Sequence, residues 1–365
     1  MRQAWPLFMF LFACSGEVDT APSETGPGPA TDGAVAETSC GATGFEIEAV
    51  QPNMLILFDR SCSMRRRFDQ ATQFGAGPAD PVTRWFVGRK AVDGMTKAFG
   101  VRIRFGLMVF PRPAKGCGDA PALNVDFGLT NRTKILNALD AKDVEPFSLC
   151  TPPESSTPGS QPHVTPTSEA LSAAGAAFVD RQGPNYVLLI TDGYATCSAT
   201  AQSLGAQTAA LLAKGIRTAV VGFGDVGSPV ARAMLDAIAN AGGTPKAGQT
   251  AFWLASSAAE LNQALAAIVG EAVSCSFKLK QTPPDPTKLF AFFDGKQVET
   301  SAWTYDAQAN TATFEGEACQ RLKRGDVMNV SLVFGCPDPA CVPSKEVCDA
   351  FDNDCDGQVD EGCLE

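Results

Sequence analysis

A chain of 365 residues with 45% apolar content can bury a full core, and usual domain sizes divide it into one domain of about 200 residues plus smaller pieces. A net charge of −11 speaks against nucleic acid as a partner, because phosphate binding needs a basic face. The 13 cysteines point to an oxidising compartment.

At the N-terminus, Arg2 precedes an apolar stretch from Ala4 to Ala13, too short for a mature membrane helix and suited to a signal-peptide core. It ends in Leu11-Phe12-Ala13-Cys14, which resembles a bacterial lipoprotein lipobox, with Phe12 bulkier than usual there. The resemblance implies that residues 1–13 are removed and Cys14 is lipidated, which leaves an even number of cysteines to pair. No later stretch reaches the roughly 18 consecutive apolar residues of a membrane helix, so the lipid would be the only membrane attachment. The expected place is the bacterial cell envelope, as an outer-membrane lipoprotein; Ser15, at the second mature position, is compatible with that sorting. Residues 14–44 then comprise the lipidated Cys and a flexible tether, rich in Ser, Thr, Gly, Pro, Ala and acids.

From residue 45 to 275, apolar strands alternate with amphipathic stretches. This predicts an α/β, doubly wound, mainly parallel sheet with flanking helices. Strands are predicted at 54–58, 103–110, 123–127, 185–191, 218–222 and 251–254, and helices at 82–99, 131–140, 168–179, 201–213, 229–241 and 258–273. The Pro- and Ser-rich stretch 145–161 reads as a surface loop, long for a compact domain.

Three strand ends and helix entries carry oxygen donors. The run Met54-Leu55-Ile56-Leu57-Phe58 empties onto Asp59, Ser61 and Ser63 in the pattern D-x-S-x-S, Thr165 precedes the helix at 168, and Asp192 closes the strand 185–191. In an open parallel sheet, ligands bind outside the carboxyl ends of the strands, where all three segments fall. Few carboxylates and several hydroxyls suit Mg2+, which keeps open coordination positions. Taken in order, these segments resemble the metal-ion-dependent adhesion site (MIDAS) of von Willebrand factor type A (VWA) domains. The resemblance implies Mg2+ or Mn2+ held by Asp59 through water, by the hydroxyls of Ser61 and Ser63, and by Thr165 and Asp192 directly or through water. The open position would take a carboxylate from a protein or polymer ligand. The chain departs from the family pattern at Arg60 and at Cys62, where Gly is common. A Cys62–Cys197 disulfide would staple two metal loops together, a Cys117–Cys150 bridge would hold the long loop, and Cys40 and Cys275 would meet if the domain termini are close. The basic run Arg65-Arg66-Arg67 reads as a solvated helix entry.

After Cys275 the helical period gives way to alternation at 277–280, 288–293, 311–315 and 327–334, with Asp294-Gly295 as a hairpin signal. This predicts a small β module over 276–337, with Cys319 and Cys336 available to brace it. The tail, 338–365, is a second candidate metal site. Asp352, Asp354 and Asp356, followed by Gly357 and Asp360, imitate the front half of an EF-hand loop and suggest Ca2+, although Cys363 stands where the twelfth-position Glu belongs. Cys348, Cys355 and Cys363 interleave with these acids, in a pattern that resembles the Asp/Cys-rich metal-binding repeats of bacterial surface proteins.

Two motifs carry less. Gly222-Phe223-Gly224-Asp225-Val226-Gly227 matches G-x-G-x-x-G but lacks the ribose-binding acid about 20 residues later. His163 is the only histidine and has no G-x-S-x-G partner, so neither His metal sites nor a Ser-His-Asp triad is expected. The sequence therefore reads as an envelope lipoprotein that binds a partner through a divalent cation, not as an enzyme. The alternative is an assembly subunit of an envelope complex in which the metal site is a lock.

Overall fold

The computed structural model describes residues 43–335, apart from 46, 50, 69–72, 78, 113–116, 119, 145, 147–163, 224–225 and 227. The expectations for Cys14, the tether up to residue 42, the long loop with His163, and the tail with Asp352, Asp354, Asp356 and Asp360 lie outside these residues; the last two tether residues, Thr43 and Gly44, are part of a strand instead.

In chain order the elements begin with β1 (Thr43–Phe45), β2 (Ile47–Ala49), β3 (Asn53–Asp59), α1 (Arg84–Phe99), β4 (Arg104–Phe110), β5 (Leu123–Gly128) and α2 (Arg132–Leu139). They continue with α3 (Thr167–Ala176), β6 (Asn185–Thr191), α4 (Ala201–Ala213), β7 (Ile216–Phe223), α5 (Pro229–Ala241), β8 (Trp253–Ala255) and α6 (Ala258–Ala272). The last part holds β9 (Ser276–Leu279), β10 (Leu289–Phe293), β11 (Lys296–Gln297), β12 (Trp303–Asp306), β13 (Thr311–Phe314), α7 (Gly316–Arg324) and β14 (Val330–Phe334).

The central sheet has the order β5-β4-β3-β6-β7-β8. All its pairs are parallel except β4–β5, an antiparallel edge with register shifts. Both faces are covered, which is why β3 reads as an unbroken apolar run with every residue buried. The two-residue period of a strand still sorts its side chains. Met54, Ile56 and Phe58 join one core with Trp85, Val92 and Met95 of α1 and Leu261 and Leu265 of α6. Leu55 and Leu57 join the other, with Leu171 of α3, Leu204 of α4 and Leu235 of α5. Each fully buried Leu, Ile or Phe in these cores contributes about 1.5–3 kcal/mol. Close packing of α1 depends on Gly88, because a Cβ there would lie 2.8 Å from the Phe58 ring.

Helix starts follow from local chemistry. Thr83 caps α1 by accepting from the Phe86 N–H at 3.2 Å, Thr200 and Ser203 form a capping box on α4, and Ser257 accepts from the Glu260 N–H.

The small β module differs from the sequence expectation in where it begins. Its two four-stranded sheets have the orders β1-β14-β10-β11 and β12-β13-β9-β2, so β1 and β2 belong to it and the α/β domain is inserted between its strands. The hairpin signal is met: Asp294 and Gly295 have φ of 50° and 73°, the positive pair a type I′ turn requires, and Phe293 pairs with Lys296. The module also contains α7, where the sequence suggested only strands. Its Phe277, Phe293, Phe314 and Leu322 share one core with Phe99 and Ile103, at the end of α1. The Cys275–Cys319 disulfide joins this module to the end of the α/β domain, which replaces both the expected Cys40–Cys275 bridge and the use of Cys319 with Cys336.

Candidate metal centre

Strand β3 runs by way of α1 to β4 on one side, while β6 pairs on its other side. The carboxyl ends of β3 and β6 therefore flank the point where the strand order reverses, the usual place for a ligand in an open α/β sheet. Asp59 ends β3 there, and Asp192 follows the last residue of β6.

The chain leaves β3 through Arg60 into a short 3-10 turn, Cys62–Arg65. This turn folds the D-x-S-x-S segment back on itself. Asp59 accepts the Ser61 N–H on one carboxylate oxygen at 2.7 Å and the Thr191 hydroxyl on the other at 2.6 Å. The Ser61 and Ser63 hydroxyls lie 2.9 Å apart, and Ser63 donates to Asp192 Oδ1 at 2.7 Å. Arg84, the first residue of α1, donates from Nη1 to Asp192 Oδ2 at 2.7 Å. Both side chains of that pair are buried, at 3% and 0% exposure.

Four of the five residues named from the sequence thus form one contiguous cluster. The fifth, Thr165, is tied to the loop after β6 rather than to the cluster itself. Its N–H donates to the Thr196 hydroxyl at 2.7 Å and its carbonyl accepts the Thr196 N–H at 3.0 Å. Its own hydroxyl bonds to no described residue.

Burial first, and the neighbouring Asp192 carboxylate second, raise the Asp59 carboxyl from its ordinary 3.8 to about 7, against the hydrogen bonds from Thr191 and Ser61. Two carboxylates held together out of water, with hydroxyls between them, make a donor set of hard oxygens that suits a cation. No group of three or more His, Cys, Asp and Glu side chains is found among the described residues, so the carboxylates here number only two and hydroxyls supply the rest. Such a set fits Mg2+ or Mn2+ and is a poor match for metals that prefer thiolate or imidazole.

The two departures from the family pattern turn out to be structural. Arg60 points its guanidinium at the Pro111, Asp143 and Val144 carbonyls at 2.5, 2.5 and 2.9 Å, and burial lowers its pKa to about 10 while Asp143 opposes the shift. Cys62 is buried and disulfide-bonded, but not to Cys197. Cys197 instead pairs with Cys117, which overturns both the Cys62–Cys197 staple and the Cys117–Cys150 bridge. The staple runs between the loops after β4 and β6. Spacing could not choose among pairings of so many cysteines.

The run Arg65-Arg66-Arg67 is not a solvated helix entry. Arg65 is buried, Arg65 and Arg66 each place a guanidinium 5.5 Å from the Phe74 ring, and Arg66 and Arg67 form isolated bridges with Phe74 and Thr83. Sequence reasoning also passed over Thr191 and Arg84. A signal for Arg84 was present: a cation in the first turn of a helix opposes the helix dipole and needs an anion nearby. At the opposite end of the sheet, a cleft of about 390 Å³ is lined by Tyr186, Arg217 and Trp253, near the starts of their strands, and by Lys246 of the loop before β8. It is separate from the Asp59 cluster.

No protein-family model matches the chain, and no curated protein matches it. Among solved structures, it is similar to the PilB minor pilin from Streptococcus sanguinis, with 14% identity, a TM-score of 0.43 and coverage of 60% of this chain and 61% of that one. The chain thus spans 61% of the pilin's length. It is also similar to the SpRpn10 VWA domain, at 11% identity and TM-score 0.38, over 60% of this chain and 95% of that domain. A third similar structure is proximal thread matrix protein 1 from the mussel byssus with a zinc-occupied MIDAS motif, at 17% identity and TM-score 0.39, over 60% of this chain and 44% of that one. These are distant likenesses of fold.

Proposed function

We propose that the α/β part of the chain is a VWA-type domain that binds a protein or polymer ligand offering a carboxylate, through Mg2+ or Mn2+ at Asp59, Ser61, Ser63, Thr165 and Asp192. The observation that carries this reading is the chain of hydrogen bonds that links two buried carboxylates at the strand-order switch, from Asp59 to Ser61, from Ser61 to Ser63 and from Ser63 to Asp192. Bound there, the cation supplies an open coordination position for an outside oxygen. The chain's own residues do the rest. Thr191 and the Ser61 N–H orient Asp59, Ser63 fixes Asp192, and the Cys117–Cys197 disulfide restrains the loop that carries Thr196 and with it Thr165. Tyr194, 48% exposed two residues after Asp192, offers an aromatic surface at the rim for the ligand to rest on.

The reading is of binding rather than catalysis: the two carboxylates and the hydroxyls bonded to them are taken as donors to a cation. Placement in the bacterial envelope as a lipoprotein anchored at Cys14 rests on the sequence, and a weak Ca2+ site at Asp352, Asp354, Asp356 and Asp360 rests on the tail motif. No helix among the described residues is long and apolar enough to cross a membrane. The proposed attachment is the lipid at Cys14. Capture of envelope proteins by the immobilised full chain, with Mg2+ or with EDTA, tests the ligand half. Retention that disappears with EDTA supports adhesion, whereas a stoichiometric partner retained in EDTA points to the assembly role.

A further inference from the structure

We propose that Arg84 is a built-in counterion of the cation site, holding cation affinity down while the site is empty and leaving the loaded site net positive toward an anionic ligand. The inference rests on the cation-binding reading above and deepens it. It starts from an anomaly. Arg84 opens α1, where the helix dipole disfavours a cation, and it is 2% exposed, where an unpaired charge is costly. Both penalties are met by one partner, Asp192, at 2.7 Å, while the Arg84 Nε is buried without a hydrogen-bond partner. Position and burial alone would favour an apolar residue at this point. What the guanidinium supplies is charge.

Within the contacting cluster, Asp59 and Asp192 carry two negative charges when ionised and Arg84 one positive charge. A divalent cation added to that set leaves one net positive charge. Without Arg84 the loaded site would be neutral, and the empty one would hold two uncompensated carboxylates. Arg84 therefore trades cation affinity for two gains: an empty site that tolerates burial, and a loaded site that attracts a carboxylate. Asp192 cannot give both oxygens fully to a cation while Nη1 holds Oδ2, so cation and guanidinium also compete for the same atom. Arg60 does not share this role, because its guanidinium is taken up by three backbone carbonyls.

The test compares the full-length chain with Arg84→Gln, which can still donate to Asp192 without charge, and Arg84→Lys, which keeps the charge. Mn2+ is titrated calorimetrically, and acetate is then titrated into the Mn2+-loaded protein while water-proton relaxation is followed. Removing one positive charge from a buried site is expected to tighten Mn2+ about tenfold and to weaken acetate by a similar factor, with Arg84→Lys close to the parent on both readouts. The metal-free Arg84→Gln protein should melt lower than the parent and gain more from Mn2+, so a variant that folds only with Mn2+ also supports the proposal. Equal Mn2+ affinity in a folded Arg84→Gln and the parent overturns the counterion role and leaves the cation site standing. Absence of Mn2+ binding in every variant, the parent included, overturns both.

Discussion

Two buried arginines bracket helix α1, and they serve different ends. Arg84 opens the helix beside Asp192, while Arg102 follows its close and donates from Nη1 to the Leu322 carbonyl at 2.9 Å. The second arrangement agrees with elementary electrostatics: a cation meets the carbonyls in the last turn of α7 and joins the β module to the α/β domain. Burial lowers the Arg102 pKa to about 10, with Asp294 opposing that shift. The first arrangement opposes the helix dipole and has to be held by a carboxylate. One end of α1 is built for cohesion and the other for charge, so polar burial at the two ends should respond differently to the same kind of change.

The largest difference is expected on removing a carboxylate at the charged end. Asp59→Ala should abolish measurable Mn2+ binding while circular dichroism and the melting transition persist, because the side chain ends its strand and faces the loop cluster. Unchanged Mn2+ affinity would remove Asp59 from the site. Next come the disulfides. Cys117→Ser with Cys197→Ser should cost about 2–4 kcal/mol of stability and also weaken Mn2+ binding, since that bridge restrains the loop after β6. Cys275→Ser with Cys319→Ser should have a similar cost and leave Mn2+ affinity alone. Denaturant melts and calorimetry on both pairs would break the comparison if the metal effects were equal. Arg102→Ala, judged by the same melts, should cost about 1.5–3 kcal/mol through a lost charged hydrogen bond, again with no change in Mn2+ affinity.

A pH dependence is expected at the charged end as well. The folded Asp59 carboxyl binds its proton more tightly than the unfolded one, so its contribution to stability is fully present below about pH 3.8 and is lost as pH rises toward 7. Metal-free protein should therefore lose stability from this group between those values. Asp59→Asn should flatten that part of the melting-temperature profile, and a parallel profile in the variant would mean that another group is responsible.

The sheet was legible because burial on both faces writes itself into runs such as Met54–Phe58, and the following Asp59-x-Ser61-x-Ser63 is local enough to read directly. What escaped depends on residues far apart. Strand β2 is three residues long and pairs Ile47 with Leu279, and nothing in either segment names the other. Cys197 could choose among many partners, and only the approach of the loops after β4 and β6 selects Cys117. Helix α7 is short, and its alternating neighbours masked it. Thr191 looked like one more strand residue, yet its hydroxyl holds Asp59. Arg84 was half legible: its clash with the helix dipole asks for an anion, but only the fold identifies Asp192.

The central claim is that Asp59, Ser61, Ser63 and Asp192 form a cation site with Thr165 nearby. Direct titration of Mn2+ into the parent protein and into Asp192→Asn is the plainest test. One site per chain in the parent and a loss of at least tenfold in the variant is the expected result. Binding that is indifferent to Asp192→Asn would contradict the account.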